Sequence, residues 1–353
     1  MQQIMGGSKT GNLQEAVREI KDPAFLIMIV SDKNVFEEKV KQLEQLYPGV
    51  PSMSCVGQGY VNEAVYEQGV IVTAFKNQIK GIANVLTNVS TMPVKCVKRI
   101  EDDLRKIGGN SNNTVCIDFC SSNDETVLAT INSALRKNKI SLTGGTAWEG
   151  LVACNGQVYE DACVYGLVCN MGGKIKVYKE NLYITTDVRH IVTKADPSKN
   201  LLMELDGRPA VEVYVKETNA DKSNIAQQTF INPFGRCIGD DVFIVSLKEM
   251  VDNQYFSCFR KVNQMDVLNV LQLGDYEQIV SDTLREIKSD FPRISGIFSI
   301  NCLFRYLLFG QHNFRNQYFK ECAQLGAHAG LIGLGEHCNA QHTNQTMSCV
   351  VFE

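Results

Sequence analysis

One arrangement of residues occurs three times along this chain and restricts its fold more than any other feature: an apolar strand, an amphipathic helix, a loop of small and glycine residues, and a second apolar strand. The first copy runs from Phe25-Leu26-Ile27-Met28-Ile29-Val30 to Ser54-Cys55-Val56-Gly57-Gln58-Gly59 and Val70-Ile71-Val72. The second runs from Val115-Cys116-Ile117-Asp118-Phe119 to Thr143-Gly144-Gly145-Thr146-Ala147 and Ala162-Cys163-Val164-Tyr165-Gly166-Leu167-Val168. The third runs from Ile297-Phe298-Ser299-Ile300 to Gly333-Leu334-Gly335-Glu336 and Met347-Ser348-Cys349-Val350-Val351-Phe352. Such repetition implies an α/β architecture made by duplication: strand-helix-loop-strand units forming mixed sheets flanked by helices, in two associated domains. It also directs attention to what the glycine-rich loops surround.

The helices carry their own signals. Asn34 is placed to cap the first, with Glu37 returning the bond, and Phe36, Val40, Leu43 and Tyr47 recur at helical spacing until Pro48-Gly49 stops the ladder. In the second copy Ser122 and Glu125 form a capping box ahead of the stripe Val127, Leu128, Ile131 and Leu135. In the third, Phe319, Cys322 and Ala323 supply the helix face. A short strand at Ile4-Met5 and a helix starting near Asn12, with Glu15 as reciprocal partner, add an edge to the first domain.

Between residues 173 and 251 the grammar changes. Lys174-Ile175-Lys176-Val177-Tyr178 and parts of Ala210-Val211-Glu212-Val213-Tyr214-Val215 alternate, which predicts half-exposed antiparallel strands. Asp196-Pro197, Asp206-Gly207 and Asn232-Pro233 supply turns. A domain boundary is expected near Met171-Gly172-Gly173, and a helix from Asp275 to Ile287 leads into the third copy.

A length of 353 residues suits about two domains. With 44% hydrophobic and 21% charged residues, the chain has the composition of a folded globule. A net charge of -4 gives no reason to expect nucleic acid or an anionic membrane as partner. The 13 cysteines are spread out, several inside apolar runs, so reduced buried thiols are expected and not a disulfide framework. The first residues lack a signal peptide and no apolar stretch reaches the roughly 20 residues of a membrane span, so a soluble, cytoplasmic protein is expected.

Neither Gly57-Gln58-Gly59 nor Gly6-Gly7-Ser8-Lys9-Thr10-Gly11 has the order of a nucleotide-binding loop, and no cofactor is expected. His337, Cys338 and His342 are the only local nitrogen and sulfur cluster, short of a zinc signature; hydrogen bonding is the expected role and no metal is expected. Cys302 follows a strand and opens a helix, beside Arg305, where backbone amides favour a thiolate. His328, His337 and His342 are its possible bases. The densest polar group is Glu336-His337, Asn339, Gln341-His342, Asn344-Gln345 and Thr346, between a strand end and the last strand, a place where donors gather around a small polar ligand.

Several of these segments together resemble the FIST group of sensory domains: Ser54 to Gly59 and Thr143 to Ala147 in the first part, and Phe298-Ser299-Ile300-Asn301-Cys302-Leu303-Phe304-Arg305, Gly333 to Glu336 and His342-Thr343-Asn344-Gln345-Thr346 in the second. The resemblance implies an N-terminal domain over residues 1–172 and a C-terminal domain over residues 173–353, the latter with an antiparallel-strand insertion. It further implies sensing of a small polar metabolite such as an amino acid, with the state passed to a separate signalling protein because no output segment follows Glu353. On that reading Arg305 pairs with a ligand carboxylate, Glu336 receives an amine, and His342, Asn344 and Thr346 complete the shell. The alternatives are a hydrolase or transferase using Cys302 with His342 and a non-catalytic interaction scaffold, but an enzyme is not the favoured expectation.

Overall fold

A computed structural model describes residues 1–89, 91–239 and 241–353. The chain divides into two compact units, the first comprising Met1–Glu180, Val280–His342 and Thr346–Glu353, the second Asn181–Ile279 and Thr343–Gln345.

The first unit contains all three copies. The first copy is β1 (Gln2–Ser8), α1 (Leu13–Ala16), β2 (Phe25–Val30), α2 (Lys33–Leu46), β3 (Ser52–Val56), the hairpin β4 (Gln58–Val61) and β5 (Ala64–Tyr66), and β6 (Val70–Lys76). The second repeats this order as β7 (Ile79–Thr87), α3 (Pro93–Ile107), β8 (Thr114–Cys120), α4 (Asp124–Leu135), β9 (Ser141–Thr146), the hairpin β10 (Val152–Cys154) and β11 (Gln157–Tyr159), and β12 (Ala162–Asn170). The third opens with β13 (Ile175–Asn181), after which the chain builds the second unit.

That second unit is a sheet with small helices: β14 (Tyr183–Asp196), β15 (Leu201–Leu205), β16 (Arg208–Pro209), α5 (Ala210–Thr218), α6 (Ile225–Gln228), β17 (Phe234–Ile238), β18 (Asp241–Val245), β19 (Leu247–Val251), β20 (Tyr255–Cys258) and β21 (Val267–Leu273). The third copy then resumes with α7 (Tyr276–Asp290), β22 (Gly296–Cys302), α8 (Leu303–Gln311), α9 (Arg315–Leu325), β23 (His328–Gly333), the hairpin β24 (Glu336–Cys338) and β25 (Gln341–Thr343), and β26 (Thr346–Phe352).

The three copies share one topology. In each, the strand before the helix runs parallel to the strand after it and antiparallel to the last strand, as in β6-β2-β3, β12-β8-β9 and β26-β22-β23. Each hairpin leaves its own copy and extends the sheet of another: β4 pairs with β23, β10 with β3, and β24 with β9. The exchange is cyclic and closes three six-stranded sheets.

Strand β2 shows why its run of apolar residues is unbroken. Phe25, Ile27 and Ile29 enter a core shared by all three copies, with Ile117, Phe119, Phe298, Ile300 and Leu331. Leu26, Met28 and Val30 alternate to the other face and pack with Phe36, Val40 and Leu43 of α2. The second copy does the same with Val115, Ile117 and Phe119 on one face and Cys116 and Cys120 on the helix-facing side. Among the described residues no cysteine forms a disulfide, and all thirteen cysteines apart from Cys237 are buried.

The opening strand is an edge as expected, and Asn12 caps α1 by accepting from Glu15 N at 3.3 Å. Three local expectations are corrected. The cap of α2 is Asp32, whose carboxylate accepts from Asn34 N at 2.8 Å, a charged acceptor being favoured at a helix N-terminus. Ser122 does not cap α4 because its hydroxyl donates to Asp161 at 2.7 Å; Asn123, at φ 57°, occupies the cap position without a side-chain bond. Ala210–Val215 belongs to a helix and not a strand: Pro209 precedes it, Asn219 ends it in the left-handed conformation, and Ala210, Val213 and Tyr214 fall on one helical face. Tyr214 stacks there on Phe234 and Phe256 at 5.2 and 5.4 Å, so burial overrides the β-propensity of the valines.

Two glycines of the central strands are sterically required. A Cβ on Gly144 lies 2.0 Å from Asp118 Oδ1, and one on Gly330 lies 1.9 Å from Ser299 O and 2.2 Å from the Tyr60 hydroxyl. Gly108 faces open space, and alanine there suffers only its φ of +68°, a cost of about 1 kcal/mol. Gly144→Ala and Gly330→Ala should each lose more stability than Gly108→Ala, measured by guanidinium unfolding followed at Trp148. Equal losses for all three would defeat the steric argument.

Candidate ligand-binding site

The cyclic exchange of hairpins lines up one residue from each of three adjacent strands. In the second sheet this row is His337 on β24, Gly144 on β9 and Asp118 on β8. In the third sheet it is Tyr60, Gly330 and Ser299, and in the first Ala153, Ser54 and Met28. The central glycine of the first two rows leaves space above the sheet for the outer side chains to meet; the row containing Ala153 and Met28 pairs two apolar ends.

The row at His337 is the centre of a polar cluster. Its Nδ1 lies 2.7 Å from Asp118 Oδ2, both side chains having no exposed surface, and its Nε2 lies 3.1 Å from Asp124 Oδ1. Asp124 opens α4, directly after β8, and accepts a bond from Thr146 Oγ1 at 3.0 Å. His342 on β25 stands edge-on to His337 with ring centroids 5.0 Å apart, its Nε2 3.5 Å from Thr146 Oγ1. Gly335 makes this approach possible, because a Cβ there lies 2.4 Å from His342 Nε2. Asp124, Thr146 and His342 are partly exposed, whereas Asp118 and His337 form the buried floor.

Burial opposes charge on His337, but the flanking Asp118 and Asp124 carboxylates raise its pKa well above the ordinary imidazole value. Burial likewise raises Asp124, yet the bond to His337 and the nearby His342 outweigh it and hold the carboxyl below its usual range. The site therefore presents an ionised carboxylate and an imidazole at its rim, supported from beneath by the buried, hydrogen-bonded pair of Asp118 and His337. A cleft lined by Lys9, Ser31, Lys33 and Asn34 lies at the start of α2 and contains none of these residues.

Of the residues expected at the site, His342 lies in this cluster. Glu336 is adjacent along β24 but wholly buried, its Oε2 accepting from Thr346 N at 3.1 Å and Thr346 Oγ1 at 2.8 Å, so the two brace the hairpin against the last strand. Asn344 belongs to the second unit, where Arg260 donates to its Oδ1 at 3.2 Å and to Thr343 O at 2.8 Å. Cys302 ends β22 opposite Gly333 and sits at the cap of α8, buried.

Arg305 lies in the third sheet's network. It pairs with the Glu180 carboxylate, donates from Nε to Asn301 Oδ1 at 3.1 Å, and stacks over Phe309 and Tyr318. Asn301 donates in turn to the Tyr60 hydroxyl at 2.9 Å, and Ser299 Oγ lies 2.6 Å from both the Tyr60 hydroxyl and His328 Nε2. With 1% of its surface exposed and its charge matched by Glu180, this guanidinium is not open to a ligand carboxylate.

Asp118, Asp124 and Thr146 were not singled out by their sequence context. Asp118 did leave a signal: it is the one charge in an otherwise apolar strand, and buried charges are paired. Asp124 reads as an ordinary acid in a first helical turn, and only the folded chain brings it to His337.

The fold is that of duplicated α/β units with a polar cluster at the carboxyl ends of two parallel strands, an arrangement typical of binding sites in such sheets. The FIST N domain matches residues 24–208 and the FIST C domain residues 210–339, so the chain belongs to the FIST family. FIST domains are sensory and signalling modules, generally without catalytic activity, and this gives the chain a general sensory role. No curated protein matches it. A crystal structure of a chorismatase aligns over 99% of this chain and 98% of its own at 9% identity, with a TM-score of 0.36, too low to support any argument. Among the described residues no helix is long and apolar enough to cross a membrane.

Two measurements test these assignments. Removing Arg305 leaves Glu180 buried without a partner, so Arg305→Ala should destabilise the first unit by about 3–5 kcal/mol in guanidinium unfolding. A loss below about 1 kcal/mol, the range of an exposed pair, would contradict the burial. Burial lowers the pKa of His328 to about 3. Between that value and about 6.5 the unfolded chain holds a proton the folded chain lacks, so this residue's contribution makes stability fall as pH falls through the window. His328→Gln should flatten the pH dependence of the unfolding free energy between pH 7 and pH 4; an unchanged slope would contradict the neutral buried ring.

Proposed function

We propose that the chain is a ligand-binding sensor whose small polar ligand, an amino acid or a metabolite of similar chemistry, binds over Asp124 and His342. The observation that carries this reading is the asymmetry of the cluster: a rim of partly exposed polar groups on a floor formed by the fully buried, hydrogen-bonded Asp118 and His337. A floor of that kind fixes the rim before a ligand arrives, which lowers the ordering cost of binding. The Asp124 carboxylate suits an amine donor, and His342 and Thr146 supply further polar contacts. Glu336 and Thr346 act through the hairpin they brace, and Arg305 holds the third sheet.

A binding event becomes a signal when it shifts the population of two conformations with different affinities for a separate downstream protein. His342 is followed along the chain by Thr343–Gln345 of the second unit, where Gln345 Nε2 donates to Ser246 Oγ at 2.7 Å. This covalent continuity gives a displaced His342 a route to that unit.

A thermal-shift screen of amino acids and small polar metabolites tests the reading, because a ligand of the native state raises the melting temperature by linkage. At least one compound should stabilise the wild-type chain in a saturable way. Asp124→Asn and His342→Ala should weaken that compound by about tenfold or more, the scale of one charge-assisted hydrogen bond, while Cys302→Ser should not. A response of full strength in both rim variants would place the ligand elsewhere.

A further inference from the structure

The same cluster has the parts of a metal centre. The ligand atoms of Asp124, His337 and His342 all lie within 4.8 Å of one another. Two of them, Asp124 Oδ1 and His337 Nε2, are 3.1 Å apart, close to the about 3.3 Å that separates two ligands on a tetrahedral zinc ion with bonds of about 2.0 Å. Two imidazoles and one carboxylate on one side of an ion, with the remaining positions open, suit zinc and ferrous iron, ions of intermediate softness.

Features outside the three ligands point the same way. His337 presents Nε2 toward Asp124, and its Nδ1 is occupied by Asp118 at 2.7 Å. A metal-bound histidine characteristically gives its second nitrogen to a carboxylate in this manner, which fixes the ring and its tautomer. Gly144 and Gly335 lack the side chains that would displace Asp118 and His342: a Cβ at either position comes within 2.0 Å of Asp118 Oδ1 or 2.4 Å of His342 Nε2. Burial is graded to match, with the carboxylate-histidine floor closed and the other two ligands partly exposed. A ligand entering from the rim reaches the open positions.

We infer that Asp124, His337 Nε2 and a ring nitrogen of His342 bind one divalent transition-metal ion of the zinc and ferrous class, with Asp118 as the outer carboxylate on His337. The inference builds on the sensor reading of this site and names how the ligand is held: amine and carboxylate donors of an amino acid complete the coordination of the ion.

Cobalt(II) is the probe, since it occupies zinc sites and reports its coordination in the visible spectrum. The full chain, stripped with a chelator and titrated with cobalt, should develop ligand-field bands that saturate at one equivalent and disappear on adding zinc. Asp124→Asn and His342→Ala should abolish the bands. Asp118→Asn should weaken zinc binding about 10- to 100-fold. His342→Gln, closer in size to histidine, is the second variant at that position and should also abolish them, with Trp148 fluorescence confirming that each variant is folded. Absence of saturable bands in the wild type, or undiminished bands in folded His342→Ala or His342→Gln, would overturn the metal site. A metabolite response that survives chelation, with no cobalt band, overturns the metal and leaves the sensor reading standing. A cobalt band without a response to any metabolite leaves the metal standing and overturns the sensor reading.

Discussion

The Asp118 and His337 side chains meet 2.7 Å apart with no exposed surface, and much of the site follows from that contact. Two ionisable groups removed from water are tolerated only when each satisfies the other. The requirement fixes Gly144 between them, sets the register of β24 on β9, and aims His337 Nε2 at Asp124. His342 and Thr146 then have defined positions, because the hairpin that carries His337 turns back through Gln341–Thr343. A substitution in this pair acts on the geometry of the whole rim.

The cyclic exchange of hairpins is what makes such a contact available. Each copy lends two short strands to another copy's sheet, so each row joins residues distant in sequence: Asp118 with His337, Ser299 with Tyr60, Met28 with Ala153. Equivalent positions have taken different chemistry. One row has apolar ends, Met28 and Ala153, that belong to the core, one is a buried network ending at Arg305 and Glu180, and one is a polar cluster reaching the surface. The shared topology provides the scaffold, and the identities at the rows decide which copy carries a site.

How much of this was legible varies with the range of the interaction. The strands β2, β8 and β22 and their helices were visible because burial on both faces writes an uninterrupted apolar run, and a helix face repeats at its own period. Ala210–Val215 was misread because alternating valines satisfy a strand and a helix equally over six residues, and the deciding contacts, Phe234 and Phe256, lie 20 and 42 residues beyond Tyr214. The caps of α2 and α4 differ from expectation by one or two residues, since Asp32, Asn34, Ser122 and Asn123 are all competent caps: the charged Asp32 wins locally at α2, and at α4 a bond to the distant Asp161 draws Ser122 away. The last polar segment stands out by composition, and the fold places its His342 beside His337 and Thr146. Arg305 was read as a ligand contact because a cationic side chain beside a strand end looks the same whether or not an internal carboxylate awaits it.

The sequence by itself determined the triplicated strand-helix pattern, the family, and the segment in which the polar groups concentrate. Those properties depend on residue order and periodicity. Tertiary structure alone decided that Glu180 takes Arg305, that Asp118 and Asp124 take His337, and that the second unit interrupts the third copy between β13 and α7. Each of those charge pairs is set by a strand or helix arriving from more than 100 residues away, and the attraction and hydrogen bonds that offset the cost of desolvating it exist only once the sheets have closed.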